Sequence, residues 1–217
     1  MRELLLIGLR HDDINGPEKL ERALKRFSPE RILVEGNENL ERALETILDE
    51  LQVCLEQGFQ SRERIDFYTG EQELKGYEIK IARRYADWFG AELLLMGDRE
   101  VPFAAEKIRQ DVRELLSISE AEFSILRKER RIVHALSKYG YQLLRLGIDT
   151  WWEVPVLSAL TRNSALAQVD AGMESVLRSY FSGQMAVVTG AAHALRDEKH
   201  RSLFSRVQDL NPRRVFL

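Results

Sequence analysis

Five short apolar runs constrain this chain more than any other feature. They lie at 4–9 (LLLIGL), 31–35 (RILVE), 92–96 (ELLLM), 184–189 (QMAVVT) and 213–217 (RRVFL). Each has the length of a strand, is rich in Leu, Ile and Val, and borders a polar loop or a turn. Helical patterns fill the intervals. The alternation predicts an α/β fold: a mainly parallel central sheet flanked by helices.

The helices show their own signals. Pro17 suits a first turn, and Leu20, Ala23, Leu24 and Phe27 repeat with helical period up to Ser28-Pro29. Asn37 can cap a second helix whose apolar face runs from Leu40 through Leu44, Leu51 and Cys54 to Leu55, with Gly58 ending it. Residues 59–70 read as polar and irregular. A helix is expected over about 71–89, with Gly90 as a left-handed cap. From 103 to 147 the patterns are helical with no strand, and Ser119 with Glu122 fits a capping box. The stretch 149–160, with Trp151, Trp152 and Pro155, reads as a turn or short helix. Residues 103–160 are therefore expected as a helical insertion covering the strand C-terminal edge, either as a lid or as plain packing. A helix from about 163 to 181 and a last one over about 197–209 complete a single domain, 1–217.

Composition removes several classes. Thirty-two basic against 35 acidic residues give a net charge of −3, which argues against a general nucleic-acid binder. No apolar run approaches the roughly 20 residues of a membrane helix, and the first run is too short for a signal-peptide core. A lone Cys54 excludes an internal disulfide and a Cys-rich metal site. The expectation is a cytoplasmic protein with neither nucleic acid nor membrane as partner. On base rates it is expected to form a homodimer.

In a parallel sheet, ligands bind beyond the carboxyl ends of the strands. The first run is followed by Arg10 and His11, the second ends in Glu35, the third leads to Asp98 and Arg99, and the fourth to His193. Both histidines stand in a G-x-x-H context, Gly8 to His11 and Gly190 to His193, where a strand turning into a loop favours a residue without Cβ. Two histidines and a carboxylate form a three-ligand set for a divalent ion with a position left open for water. A single histidine at a strand end is more often a hydrogen-bonded structural group than a ligand, and it is the matched pair, with a Glu35 carboxylate costly to bury unpaired, that points to a site. His134 and His200 lie in charged helical contexts and are read as solvated.

These residues resemble the TraB/PrgY family, related to the Tiki, GumN and ChaN-like proteins. Gly8-Leu9-Arg10-His11 is similar to the first G-x-x-H of that family, and Pro29-Glu30-Arg31-Ile32-Leu33-Val34-Glu35 to its strand ending in Val-x-Val-Glu. Gly76-Tyr77-Glu78 resembles its Gly-x-Glu helix start, and Leu93 to Arg99 its segment ending in Asp-Arg. Arg162-Asn163 with Ala165 and Ala167 resembles a further helix start, and Val187 to His193 the second G-x-x-H. Leu9-Arg10 is bulkier than the family's usual residues, and Thr161 replaces an acid before Arg162.

The resemblance implies that His11, Glu35, Glu78, Asp98, Arg99, Arg162, Asn163 and His193 line one site. The expected activity is metal-assisted hydrolysis of an amide or related acyl bond in a peptide or small-molecule substrate. His11, His193 and Glu35 would hold Mn²⁺, Co²⁺ or Zn²⁺. Glu78 or Asp98 would serve as general base, Arg99 or Arg162 would stabilise the oxyanion, and Asn163 would orient the substrate. The rival is a binding protein that captures a peptide, haem or a small anion on the same rim without chemistry.

Overall fold

The computed structural model describes residues 2–11, 13–73, 76–97, 103–148, 164–197, 199 and 201–217. The strands are β1 (Glu3–Leu9), β2 (Arg31–Val34), β3 (Glu92–Leu95), β4 (Gln184–Gly190) and β5 (Arg213–Phe216). They form one sheet in the order β3-β2-β4-β1-β5, and every pairing is parallel. The expected α/β architecture is observed. The strand last to enter the middle, β4, sits between β1 and β2, so these three put their carboxyl ends side by side. Leu9 pairs with Gly190, and Val34 with Val188.

Alternation along the strands divides the core in two. Leu5, Ile7, Leu9, Ile32, Val34, Ala186 and Val188 face α1 (Gly16–Phe27) and α4 (Tyr77–Phe89) through Leu20, Leu24, Ile79 and Ala82. Leu4, Leu6, Leu33, Met185 and Val187 face Met173 and Leu177 of the helix Ser164–Tyr180, here α7, and Leu203, Phe204 and Val207 at the short helix Leu203–Arg206, α8. Both faces of the sheet are covered, as the apolar character of its strands requires.

A satellite cluster packs α2 (Glu38–Glu56), α3 (Arg62–Glu73), α5 (Ala105–Leu116) and the start of α6 (Glu120–Arg145) through Leu51, Cys54, Ile65, Tyr68, Val112, Leu116 and Phe123. Ser119 and Glu122 make the expected capping box, and Asn37 accepts from the Leu40 N–H at 2.7 Å. The far end of α6 returns to the sheet, where Tyr141 and Leu144 pack on Ala191 and Leu195 just beyond β4. The insertion thus reaches the carboxyl edge. Its segment 149–160 lies outside the described residues.

Two segments differ from expectation. Residues 62–73 are helical, not irregular. Their buried face combines Ile65 and Tyr68 with Arg64, which is 1% exposed, so the stripe carries a charge that pattern reading counts as polar. Gly76, at φ 70°, separates this helix from α4. The expected last helix is broken as well. Asp197 accepts the backbone N–H groups of Lys199 and Arg201, and Ser202 caps a new start, leaving only Leu203–Arg206 and a 3₁₀ turn, Gln208–Leu210.

Candidate functional site

The site grows from the alternation of the strands. Continuing past β1, His11 falls on the side of α4, where its Nδ1 lies 2.8 Å from Glu78 Oε1. Continuing past β2, Glu35 falls on the side of α7. There His193, in the 3₁₀ turn Ala191–Ala194, lies with Nε2 3.2 Å from Glu35 Oε1 and Nδ1 2.6 Å from Asp170 Oδ1. Glu35 Oε2 accepts from Thr189 Oγ1 and from the Gly190 N–H, both at 2.7 Å. One histidine is anchored in each helical layer, and the carboxylate of Glu35 lies between them.

Gly190 marks the meeting point. A Cβ built on it would lie 2.9 Å from His11 Nε2, 3.5 Å from Glu35 Oε2 and 3.6 Å from His193 Cδ2. The histidines from opposite ends of the chain are therefore near neighbours around one carboxylate. The reason for the glycines differs from the expected one. Neither Gly8 nor Gly190 has positive φ, and Gly190 sits at φ −58°, ψ 147°, open to any residue. What both need is space: at Gly8 a Cβ would strike the Phe216 ring and the Ala194 methyl at 2.8–2.9 Å.

The electrostatics are those of a buried acidic cluster. Side chains of Glu78, Asp170 and His193 are about 95% or more buried, while His11 keeps 45% of its surface. Burial disfavours a charged His193, yet hydrogen bonds and charges from Asp170 and Glu35 outweigh it and hold its pKa at about 10. Burial pushes the Glu35 carboxyl up, but the His193 hydrogen bond and charge and the Gly190 N–H hold it well below the usual carboxylate range. Burial likewise works against the His11 imidazolium, and Glu78 with Glu35 overcomes it, so this pKa is raised. For Asp170 burial prevails over the attraction of His193 and raises its pKa.

The expected residues fare differently. His11, Glu35, Glu78 and His193 are brought together. Asp98, Arg99, Arg162 and Asn163 lie outside the described residues, as do Trp151 and Trp152. Glu78, expected as a general base, stands behind His11 as its hydrogen-bond partner. Arg10 turns away from the cluster, with Nη2 3.3 Å from His134 Nδ1 and the guanidinium 5.7 Å from the centre of the Tyr141 ring. Sequence reading missed Asp170 and Thr189. The signal for Asp170 was an acid sharing the buried stripe of Met173 and Leu177 in α7.

Among the described residues, no group of three or more His, Cys, Asp or Glu is arranged to hold a metal ion as it stands. Glu35 is already engaged on both oxygens. The donor chemistry nevertheless fits. Each histidine has its Nδ1 on a carboxylate and its Nε2 towards Glu35 or Gly190, the way carboxylates orient histidine ligands. The 3.2 Å between His193 Nε2 and Glu35 Oε1 is close to the roughly 3.4 Å between two ligands about 2.1 Å from one tetrahedral ion. Glu78 Oε2 is buried without a hydrogen-bond partner among the described residues, an acceptor that a cation would satisfy. His11 is the half-exposed ring of the pair.

The chain matches no protein-family model, no curated protein and no solved structure. No helix among the described residues is long and apolar enough to cross a membrane.

Proposed function

We propose that this chain is a metal-assisted hydrolase of amide or related acyl bonds, of the kind its TraB/PrgY-like motifs imply. The observation carrying the reading is the paired anchoring: Asp170 on His193 Nδ1, Glu78 on His11 Nδ1, and the Glu35 carboxylate between the two rings. Structural histidines need no such matched support from two layers.

His11, His193 and Glu35 would hold the ion, in the class of Mn²⁺, Co²⁺ or Zn²⁺. The chemistry such an ion supplies when bound is a water whose pKa falls from about 15.7 towards about 7, together with polarisation of the scissile carbonyl. The protein's part is orientation and charge. Glu78 and Asp170 would fix both rings with Nδ1 as donor, and His193 would give up its Nε2 proton and its contact with Glu35 to offer a lone pair to the ion. Thr189 and the Gly190 N–H hold the Glu35 carboxylate in one orientation. Glu78 holds His11 through Oε1, so of the two candidate proton acceptors, Glu78 and Asp98, this reading favours Asp98, which follows β3 in sequence. Arg99 and Arg162 are the candidates for the developing oxyanion, and Asn163 for orienting the substrate.

The test is elemental analysis of native protein beside His11→Ala and His193→Ala, with turnover of a peptide library in Mn²⁺ or Co²⁺. Near-stoichiometric metal, lost with either histidine together with turnover, is the expected result. A metal-free protein, or equal turnover in His193→Ala, overturns the reading. The second reading, capture of a ligand without chemistry, is favoured by the closed hydrogen bonding of Glu35 and His193. It predicts a metal-free protein that retains a copurified peptide or reddens with haem.

A further inference from the structure

The chain carries more acidic than basic residues, yet several of its cations line a track of two adjoining cavities that reaches Arg10. A groove of about 580 Å³ lies between α1 and the edge strand β5, lined by Lys19, Arg22, Arg26 and Arg213 over a floor including Leu5 and Val215. Among the described residues, no acidic side chain lines it. It shares Lys19 and Leu217 with a second cavity of about 540 Å³, whose cations are Lys19, Arg10 and Lys138. Asp13, the one acidic side chain lining that cavity among the described residues, is held by Lys19 at 2.5 Å. Arg10 is the residue before His11. Arg26, Arg213 and Lys138 have no ion-pair partner among the described residues.

We propose that this track binds an extended acidic peptide segment and delivers it to the rim where His11, Glu35 and His193 meet. The inference rests on the hydrolase reading for what happens at the rim, but the binding itself does not. Three features specify the occupant. The cations are spaced along a groove that follows the chain from Arg213 to Leu217, room for about five extended residues at ~3.3 Å each. The floor is apolar, which suits alternating acidic and apolar side chains. One wall is a sheet edge, with backbone groups on its outer side that an extended chain can pair with.

The probe is a fluorescein-labelled peptide of about eight alternating Glu and Val residues, followed by fluorescence anisotropy with the intact protein. Wild type is expected to bind it, with affinity falling as NaCl is raised. The Arg26→Glu/Arg213→Glu variant, changed at two exposed positions, is expected to bind at least about tenfold more weakly. An unchanged melting temperature in that variant verifies its fold. A protein that binds the peptide without metal or turnover sinks the hydrolase reading and leaves this one standing. Absence of binding to wild type, equal affinity in the charge-reversed variant, equal affinity for a Lys/Val peptide, or tighter binding of a labelled oligothymidylate would each overturn the proposal.

Discussion

Replacing Gly190 by alanine should separate site from fold. The backbone there, φ −58° and ψ 147°, suits alanine, and a Gly→Ala change at a compatible position stabilises by about 0.4–1 kcal/mol through the unfolded chain. The new methyl would lie 2.9 Å from His11 Nε2, against the 3.4 Å at which ordinary contact begins. The ring must therefore retreat by about half an ångström, loosening its bond to Glu78 or leaving Glu35. Stability in urea should change by no more than about 1 kcal/mol. Turnover should fall about 10- to 100-fold, since displacements of this order are costly at a reacting centre, and the metal content of purified protein should fall with it. Gly8→Ala is the counterpart: its methyl meets Phe216 and Ala194 in the core, and overpacking there should cost about 1–3 kcal/mol. If Gly190→Ala loses as much stability as Gly8→Ala, or keeps full turnover and metal, then the glycine does not mark the meeting point of the site.

Three further outcomes follow from particular contacts. Asp170→Asn, which removes the charge behind His193, should weaken metal affinity about 10- to 100-fold in a competition titration while the fold persists; unchanged affinity would deny Asp170 its positioning role. Burial pushes the Asp197 carboxyl up, but the N–H groups of Lys199 and Arg201 and the Arg201 guanidinium hold it below its ordinary value. Its stabilisation is therefore complete above the unfolded pKa near 3.8 and lost as pH falls through the folded one. Asp197→Asn should thus cost about 1–3 kcal/mol near neutrality, with wild type and variant converging in acid; a gap that persists in acid would refute the charge as its cause. Arg64 donates to the carbonyls of Leu116 and Ile118 and to Glu120, at 2.9, 2.6 and 2.6 Å. Arg64→Met should lower urea stability by about 2–4 kcal/mol, chiefly through the two carbonyls left unpaired; a cost below about 0.5 kcal/mol would show that they find other donors.

Much of the fold was legible because short apolar runs and 3.6-residue stripes are local signals. The five strands lie within one residue of their expected ends at every terminus, and Asn37, Ser119 and Gly90 act as their residue types suggest. The signal failed where a buried position is polar. Arg64 hid the helix 62–73, and the side chains of Asp197 and Ser202, which draw the backbone out of one helix and into the next, hid the break before residue 203.

By itself the order of residues determined which groups arrive at the carboxyl ends of the strands, because a run of apolar residues announces where a strand stops. It could not determine which carboxylate stands behind which ring. His11 finds Glu78, and His193 finds Asp170, because β4 enters between β1 and β2 and because alternation sends one ring to each helical layer. The same holds for the cations of α1 and β5, scattered along the chain and lined up only in the folded sheet. Pairings across such separations depend on strand order and register, which arise from packing the whole molecule and leave no mark on any local stretch.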